Sequence, residues 1–194
     1  MSAEISSNIA EGILQAAVRL FARKGYEATS TREIVEAAGV TKPMIYYYFK
    51  NKEGLYEAVL TRFLSQFAVR LRAVVDEPRE PRDHLVEVVW AHLEYCREHR
   101  DFAKFFYAVF FGPEESAVAD SLVSMTRQVQ DLLIEACQRA VANGLVKPER
   151  IEALVTALQA MINLGVIATV KEGAVLARDL AVQIVDIVLD GVAH

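Results

Sequence analysis

Apolar residues recur at helical spacing along almost the whole of this 194-residue chain, and no stretch alternates at strand spacing. That pattern decides the fold class, because a face repeating every three or four residues wraps a helix and cannot line one side of a strand. Ile9, Ile13, Ala17, Leu20 and Phe21 form the first stripe, with Asn8 and Glu11 spaced as a capping box and Gly25 as its stop. Ser30-Thr31-Arg32-Glu33 is a second capping box, opening a short helix with Ile34, Val35 and Ala38 inward and Gly39 at its end. Thr41 caps a third short helix, and Pro43 falls in its first turn, where a missing N–H costs no bond. Ile45 and Phe49, four apart, point inward together. Asn51 caps a fourth helix running from Lys52 towards Val75. Five more helical segments are expected at about 82–99, 101–111, 115–143, 149–171 and 177–192, separated in part by Pro113, Gly144 and Pro148. The expectation is an all-α chain of about nine helices: an N-terminal three-helix helix-turn-helix unit and a C-terminal helical body.

Composition removes several classes of function. There is no basic, apolar, cleavable leader at the N-terminus. The apolar stretch Leu154–Val170 is interrupted by Thr156, Gln159 and Asn163, short of the ~20 apolar residues of a membrane span. A cytoplasmic protein with no membrane partner is expected. There is no Gly-rich phosphate loop, and His84, His92, His99 and His194 form no catalytic motif, so an enzyme is not expected. Cys96 and Cys137 lack metal-ligand spacing and read as small core residues; His92 and Cys96, four apart, do not make a metal site. No cofactor or metal is called for. Charge is unevenly divided: residues 1–52 hold seven Lys/Arg against five Glu, in a chain whose net charge is -5. A basic working end on an acidic body suits a polyanionic partner.

Residues 31–49 have the anatomy of a helix-turn-helix, whose second helix enters the major groove of DNA. Three adjacent tyrosines, Tyr46, Tyr47 and Tyr48, cannot all be core on one helix. Tyrosine hydroxyls reach phosphates and the rings pack on sugars or thymine methyls, with Lys42, Lys50 and Lys52 alongside to neutralise phosphates. A helical adaptor binding protein through the same tyrosines is the alternative; it would bind without steep salt dependence.

The stretch Ile13-Leu14-x-Ala16-Ala17-x-x-Leu20-Phe21-x-x-x-Gly25-Tyr26-x-x-Thr29-Ser30-Thr31-Arg32-x-Ile34 resembles the start of the DNA-binding domain of the tetracycline-repressor-like (TetR) family. It continues as Ala37-Ala38-Gly39-Val40-Thr41-Lys42-x-x-Ile45-Tyr46-x-Tyr48-Phe49-x-x-Lys52-Glu53-x-Leu55. The resemblance implies that Thr31 contacts phosphate and that Thr41, Lys42, Tyr46, Tyr48 and Lys52 fall at phosphate- or base-contacting positions. Arg32 falls where a guanine can be read, its alternative being an ion pair with Glu36 one turn on. Pro43 and Met44 face the groove, where many relatives carry Gly and a polar residue, and Tyr48 stands where many carry His. A repressor binding a pseudopalindromic operator in double-stranded DNA as a homodimer, released by a small lipophilic effector, is the implied function.

The segment Asp101–Phe111 carries five Phe and one Tyr, read either as plain core or, with the family resemblance, as the wall of an effector cavity. Phe106, Tyr107 and Phe110, then Trp90 and Tyr95 before them and Met125, Gln128, Met161 and Asn163 after, are the candidate lining residues. His92 is a further group that could orient a ligand. Helices at about 149–171 and 177–192 carry more aliphatic surface than one packing stripe needs, with Leu180, Ile184, Ile187, Val188 and Leu189 on the last, so they are the expected homodimer interface. The charged stretch Asp76–Arg82, with Pro78 and Pro81, is the strongest linker signal. By function the expected domains are 1–52, DNA binding, and 53–194, ligand binding and dimerisation.

Overall fold

A computed structural model describes the backbone of residues 2–111, 119–172 and 177–192, and the side chains of 7–111, 126–170 and 177–191. Among these residues the chain is all-α, as the periodicity predicts. The helices are α1 (Ser2–Lys24), α2 (Thr31–Ala38), α3 (Lys42–Phe49), α4 (Lys52–Asp76), α5 (Pro81–Glu98), α6 (Arg100–Phe110), α7 (Ala119–Ala142), α8 (Ile151–Glu172) and α9 (Arg178–Val192), with a 3-10 turn at Pro148–Arg150.

Local chemistry sets most boundaries where the sequence puts them. Ser30 Oγ accepts from the Glu33 N–H at 3.2 Å and the Glu33 carboxylate accepts from the Ser30 N–H at 2.9 Å, which starts α2. Gly39 ends it at φ 66°, donating to Glu36 O while Val40 N–H reaches Val35 O, the paired bonds of a left-handed helix stop. Asn51 Oδ1 caps α4 by accepting from the Gly54 N–H at 2.7 Å. Thr41 occupies the cap position of α3 but makes no side-chain cap bond; its carbonyl accepts from Met44 N–H instead. The start of α1 differs from expectation. The helix begins at Ser2, because nothing in residues 2–8 breaks it and Glu11 is engaged elsewhere: its carboxylate accepts from Gln15 one turn on and from Arg62 of α4, at 3.1 and 3.0 Å.

Packing divides the chain into two compact units, residues 1–63 with 101–123, and residues 64–100 with 124–194. α4 runs unbroken through 52–76, so its two halves serve different units, and α6 returns to the first. In the first unit α1 packs on α2 and α2 on α3, over a core of Ile13, Ala17, Phe21, Ile34, Ile45, Leu55 and Val59. In the second, α5 is the central helix, with Leu85, Val88, Val89 and Leu93 fully buried and α8 and α9 packed against it.

One expectation about α8 is corrected. Pro148–Val170 is long and apolar enough, by length and composition, to cross a membrane, since the interruptions from Leu154 on are uncharged. Gln159 donates to Asn163 one turn on at 3.0 Å, pairing two of them. Leu154, Leu158, Ile162 and Val166 form the buried stripe of this helix, yet only 28% of the apolar window is buried.

Candidate DNA-binding interface and effector region

The second helix of the helix-turn-helix is locked from behind by one residue: Ile45 is fully buried. On the other side Tyr46 is 49% and Tyr47 80% exposed, and Lys42 and Pro43 stand in solvent beside them. Lys42 Nζ lies 5.9 Å from the Tyr46 ring centroid, a cation over an aromatic face. Tyr48 is half-buried and packs edge-on against Tyr47 at 4.9 Å; Met44 is half-buried too. The three tyrosines thus sit at three depths, as helical geometry requires of adjacent residues.

Thr31, at the first position of α2, is half-buried, and Thr41 is exposed. Of the two alternatives for Arg32, this structure holds the ion pair: Nε donates to Glu36 Oε1 at 2.9 Å. Such an exposed pair is weakly held and open to exchange for a stronger acceptor. Lys52 is placed differently from a free phosphate binder. Its ammonium sits 4.1 Å from the Tyr26 ring centroid and donates to Glu27 O at 3.3 Å, bracing the 25–30 turn. Lys24 pairs with Glu33, and that bond, with those from Ser30, holds the Glu33 carboxyl down at about 2, so the start of α2 keeps its charge at any ordinary pH.

Two positional features escape a residue-type reading. Lys50, just after α3, has φ 66° and ψ -50°, with Asn51 N–H donating to Phe49 O at 2.7 Å across it. This is a γ-turn in its rarer, strained form. A Cβ on Gly54 would meet Phe49 O at 2.2 Å, so α4 approaches the end of α3 backbone to backbone. A glycine near a helix start, where Ala would be better, was the one available signal.

α6 is amphipathic, so plain core, one of the two readings of this segment, holds for one of its faces only. Phe102, Ala103 and Phe105 are buried, Phe106 and Tyr107 half-buried, Phe110 and Phe111 exposed. Phe105 stacks on Phe21 at 5.5 Å and meets Tyr56 edge-on at 5.1 Å, while Phe102 stacks on Phe63 at 4.6 Å. Phe106, Tyr107 and Phe110 therefore belong to the first unit. Trp90, Tyr95, Gln128, Met161 and Asn163 belong to the second. There Tyr95 is buried on Phe67, Trp90, Met161 and Asn163 are half-buried, and Gln128 is exposed. Met125 lies outside the described side chains.

Burial pushes both cysteine thiols up to about 12, so neither is a thiolate, and no group of three or more metal-ligating side chains occurs among the described residues. His92 is buried on α5 and burial depresses it to about 4. Above pH ~6.5 both folded and unfolded chains carry it neutral. As pH falls from there towards 4 the unfolded chain takes a proton that the fold refuses, so folding loses about 3 kcal/mol over that window. His92→Phe is expected to flatten this part of the urea stability profile between pH 7 and 4; equal profiles would show that the ring is not held neutral.

Residues 13–59 match the family described as bacterial regulatory proteins, tetR family. The HTH-type transcriptional repressor ComR of Escherichia coli (strain K12) is 30% identical over 177 residues, covering 87% of this chain and 82% of ComR. Among solved structures, FadR from Bacillus subtilis in complex with stearoyl-CoA superposes with a TM-score of 0.81 at 18% identity, covering 94% of this chain and 98% of that one. The ketosteroid transcriptional regulator KstR2 of Mycobacterium tuberculosis gives 0.78 at 20% identity, with 95% of both chains covered. The helix-turn-helix geometry and the likeness to ComR over 87% of this chain agree: the chain belongs to the tetR family and is a DNA-binding transcriptional regulator, not an enzyme.

Proposed function

We propose that this regulator is a cytoplasmic repressor that binds a pseudopalindromic operator as a homodimer and leaves it when a small lipophilic effector binds. The observation that carries this is the outward face of α3, where Tyr46 and Tyr47 stand exposed beside Lys42 while Ile45 behind them is sealed. Residues 1–52 are the DNA-binding domain and 53–194 the effector-binding and dimerisation domain. Thr31, Thr41 and Lys42 take phosphates, Arg32 exchanges Glu36 for a base edge, and Pro43, Met44 and the tyrosines line the groove. Lys52 reaches phosphate only by leaving Tyr26.

The dimer half of the proposal is supported by apolar surface that one chain leaves open. Leu164 on α8 is 66% exposed and Ile187 on α9 61%, and a second copy would bury both. Such a dimer sets two recognition helices about 34–36 Å apart, one DNA turn. The effector half is supported by two structural neighbours: FadR was solved in complex with stearoyl-CoA, and KstR2 is named a ketosteroid transcriptional regulator. Trp90, Tyr95 and Met161 of the second unit are its candidate contacts, with Asn163 as a polar one.

Selection of bound sequences from a random duplex library, with affinity then followed against salt, tests this. The expected product is a pseudopalindrome bound by a dimer, with affinity falling steeply as salt rises. Tyr47→Ala should lose about tenfold or more in affinity at unchanged helix content, and Leu164→Lys with Ile187→Lys should give monomers that enrich nothing. A folded dimer that enriches no sequence at low salt would refute the proposal.

A further inference from the structure

Lys52, in the first turn of α4, is engaged by a segment 25 residues earlier in the chain. Its ammonium lies 4.1 Å from the centroid of the Tyr26 ring and donates to the carbonyl oxygen of Glu27 at 3.3 Å. The ring is itself held, edge-on to Tyr56 at 4.8 Å and tilted against Phe21 at 5.7 Å. The turn closes on the same residues. Thr29, 1% exposed, donates from its hydroxyl to Gly25 O at 2.8 Å and from its N–H to Tyr26 O at 3.2 Å. Ser30 follows at once as the cap of α2, and α2 packs on α3. Where this turn stands therefore sets where Thr31 and Arg32 stand beside the exposed tyrosines of α3. Charge also keeps Lys52 in place. Burial first, then the carboxylates of Glu53 and Glu27, push the Tyr26 hydroxyl above its ordinary range, so two negative charges act at this ring and oppose an incoming phosphate.

We propose that Lys52 serves DNA binding as a positioning residue: it fixes the turn at 25–30, and through it the start of α2, instead of taking a phosphate itself; this rests on the operator-binding function proposed above. A lysine lent to a phosphate would abandon both the Tyr26 face and the Glu27 carbonyl. The turn would then lose that tie to α4 just as α2 is pressed against DNA.

The test uses the full-length protein on the operator recovered by the selection above, with affinity measured over a range of salt. Lys52→Met keeps the stem and removes the ammonium. It is expected to weaken binding about tenfold, while affinity falls with salt as steeply as before, because a positioning residue displaces no counterion from DNA. Lys52→Arg, which keeps a cation for the ring and a donor for Glu27 O, should restore most of the affinity. Without DNA, the Thr29 amide should exchange about tenfold faster in Lys52→Met and at the parent rate in Lys52→Arg. Tyr26→Leu separates the two roles by sign. It frees the lysine, so a phosphate contact would then bind DNA more tightly and a positioning residue more weakly. A salt slope shallower by about 0.9 per protomer in Lys52→Met, unchanged Thr29 exchange, or tighter binding by Tyr26→Leu would overturn the assignment of Lys52 alone. A parent protein that enriches no operator would overturn the repressor function along with it.

Discussion

Gly54→Ala is expected to weaken DNA binding about tenfold or more and to lower the thermal midpoint by roughly 3–10 °C, although it adds only a methyl group in a helical first turn. The usual direction of that exchange in a helix is the opposite, towards stability. Here the new Cβ would lie 2.2 Å from Phe49 O and 3.3 Å from Asn51 Oδ1. The asparagine can move, but the carbonyl is backbone. It is held by the γ-turn across Lys50, whose hydrogen bond from Asn51 N–H is 2.7 Å long. Freeing it means rotating the peptide that ends α3, and so re-aiming the last turn of the helix that carries Tyr46 and Tyr47. Melting curves and operator affinity, measured with the dimer mass as a control, check this. Lys50→Gly supplies the converse: a glycine adopts φ 66° without the strain that lysine bears there, so the variant should melt slightly higher. Unchanged melting and affinity in Gly54→Ala would mean that Phe49 O is not fixed against α4 in solution.

What could be read from the sequence was what neighbouring residues decide among themselves. The Ser30–Glu33 capping box, the left-handed stop at Gly39, the Asn51 cap and the inward Ile45 each involve residues within a few positions of one another. Features set by distant partners were not legible. Asn8 and Glu11 are spaced as a capping box, but Glu11 is held by Arg62, 51 residues away, and α1 begins earlier. Lys52 has the residue type of a phosphate contact, yet Tyr26 and Glu27 engage its ammonium. The aromatic run of α6 gives no period that separates a core face from an outer one. That choice comes from Phe21, Tyr56 and Phe63, on helices far away in sequence.

Phe105→Ala should be the most damaging single truncation in the first unit, and its damage should stay there. Phe105 is 2% exposed and touches rings from both α1 and α4, Phe21 and Tyr56. Truncating a phenylalanine so enclosed costs about 3–5 kcal/mol, the lost transfer energy plus a cavity that two helices cannot close by relaxing. Tyr56 would feel it directly, since burial in the same cluster pushes its hydroxyl up to about 12. Hydrogen exchange read by segment distinguishes a local from a general effect. Amides of α1 and α6 should exchange about a hundredfold faster or more, while those of α5, central to the second unit, should stay protected. Even acceleration across both units would mean that α6 does not pack with the first unit in solution.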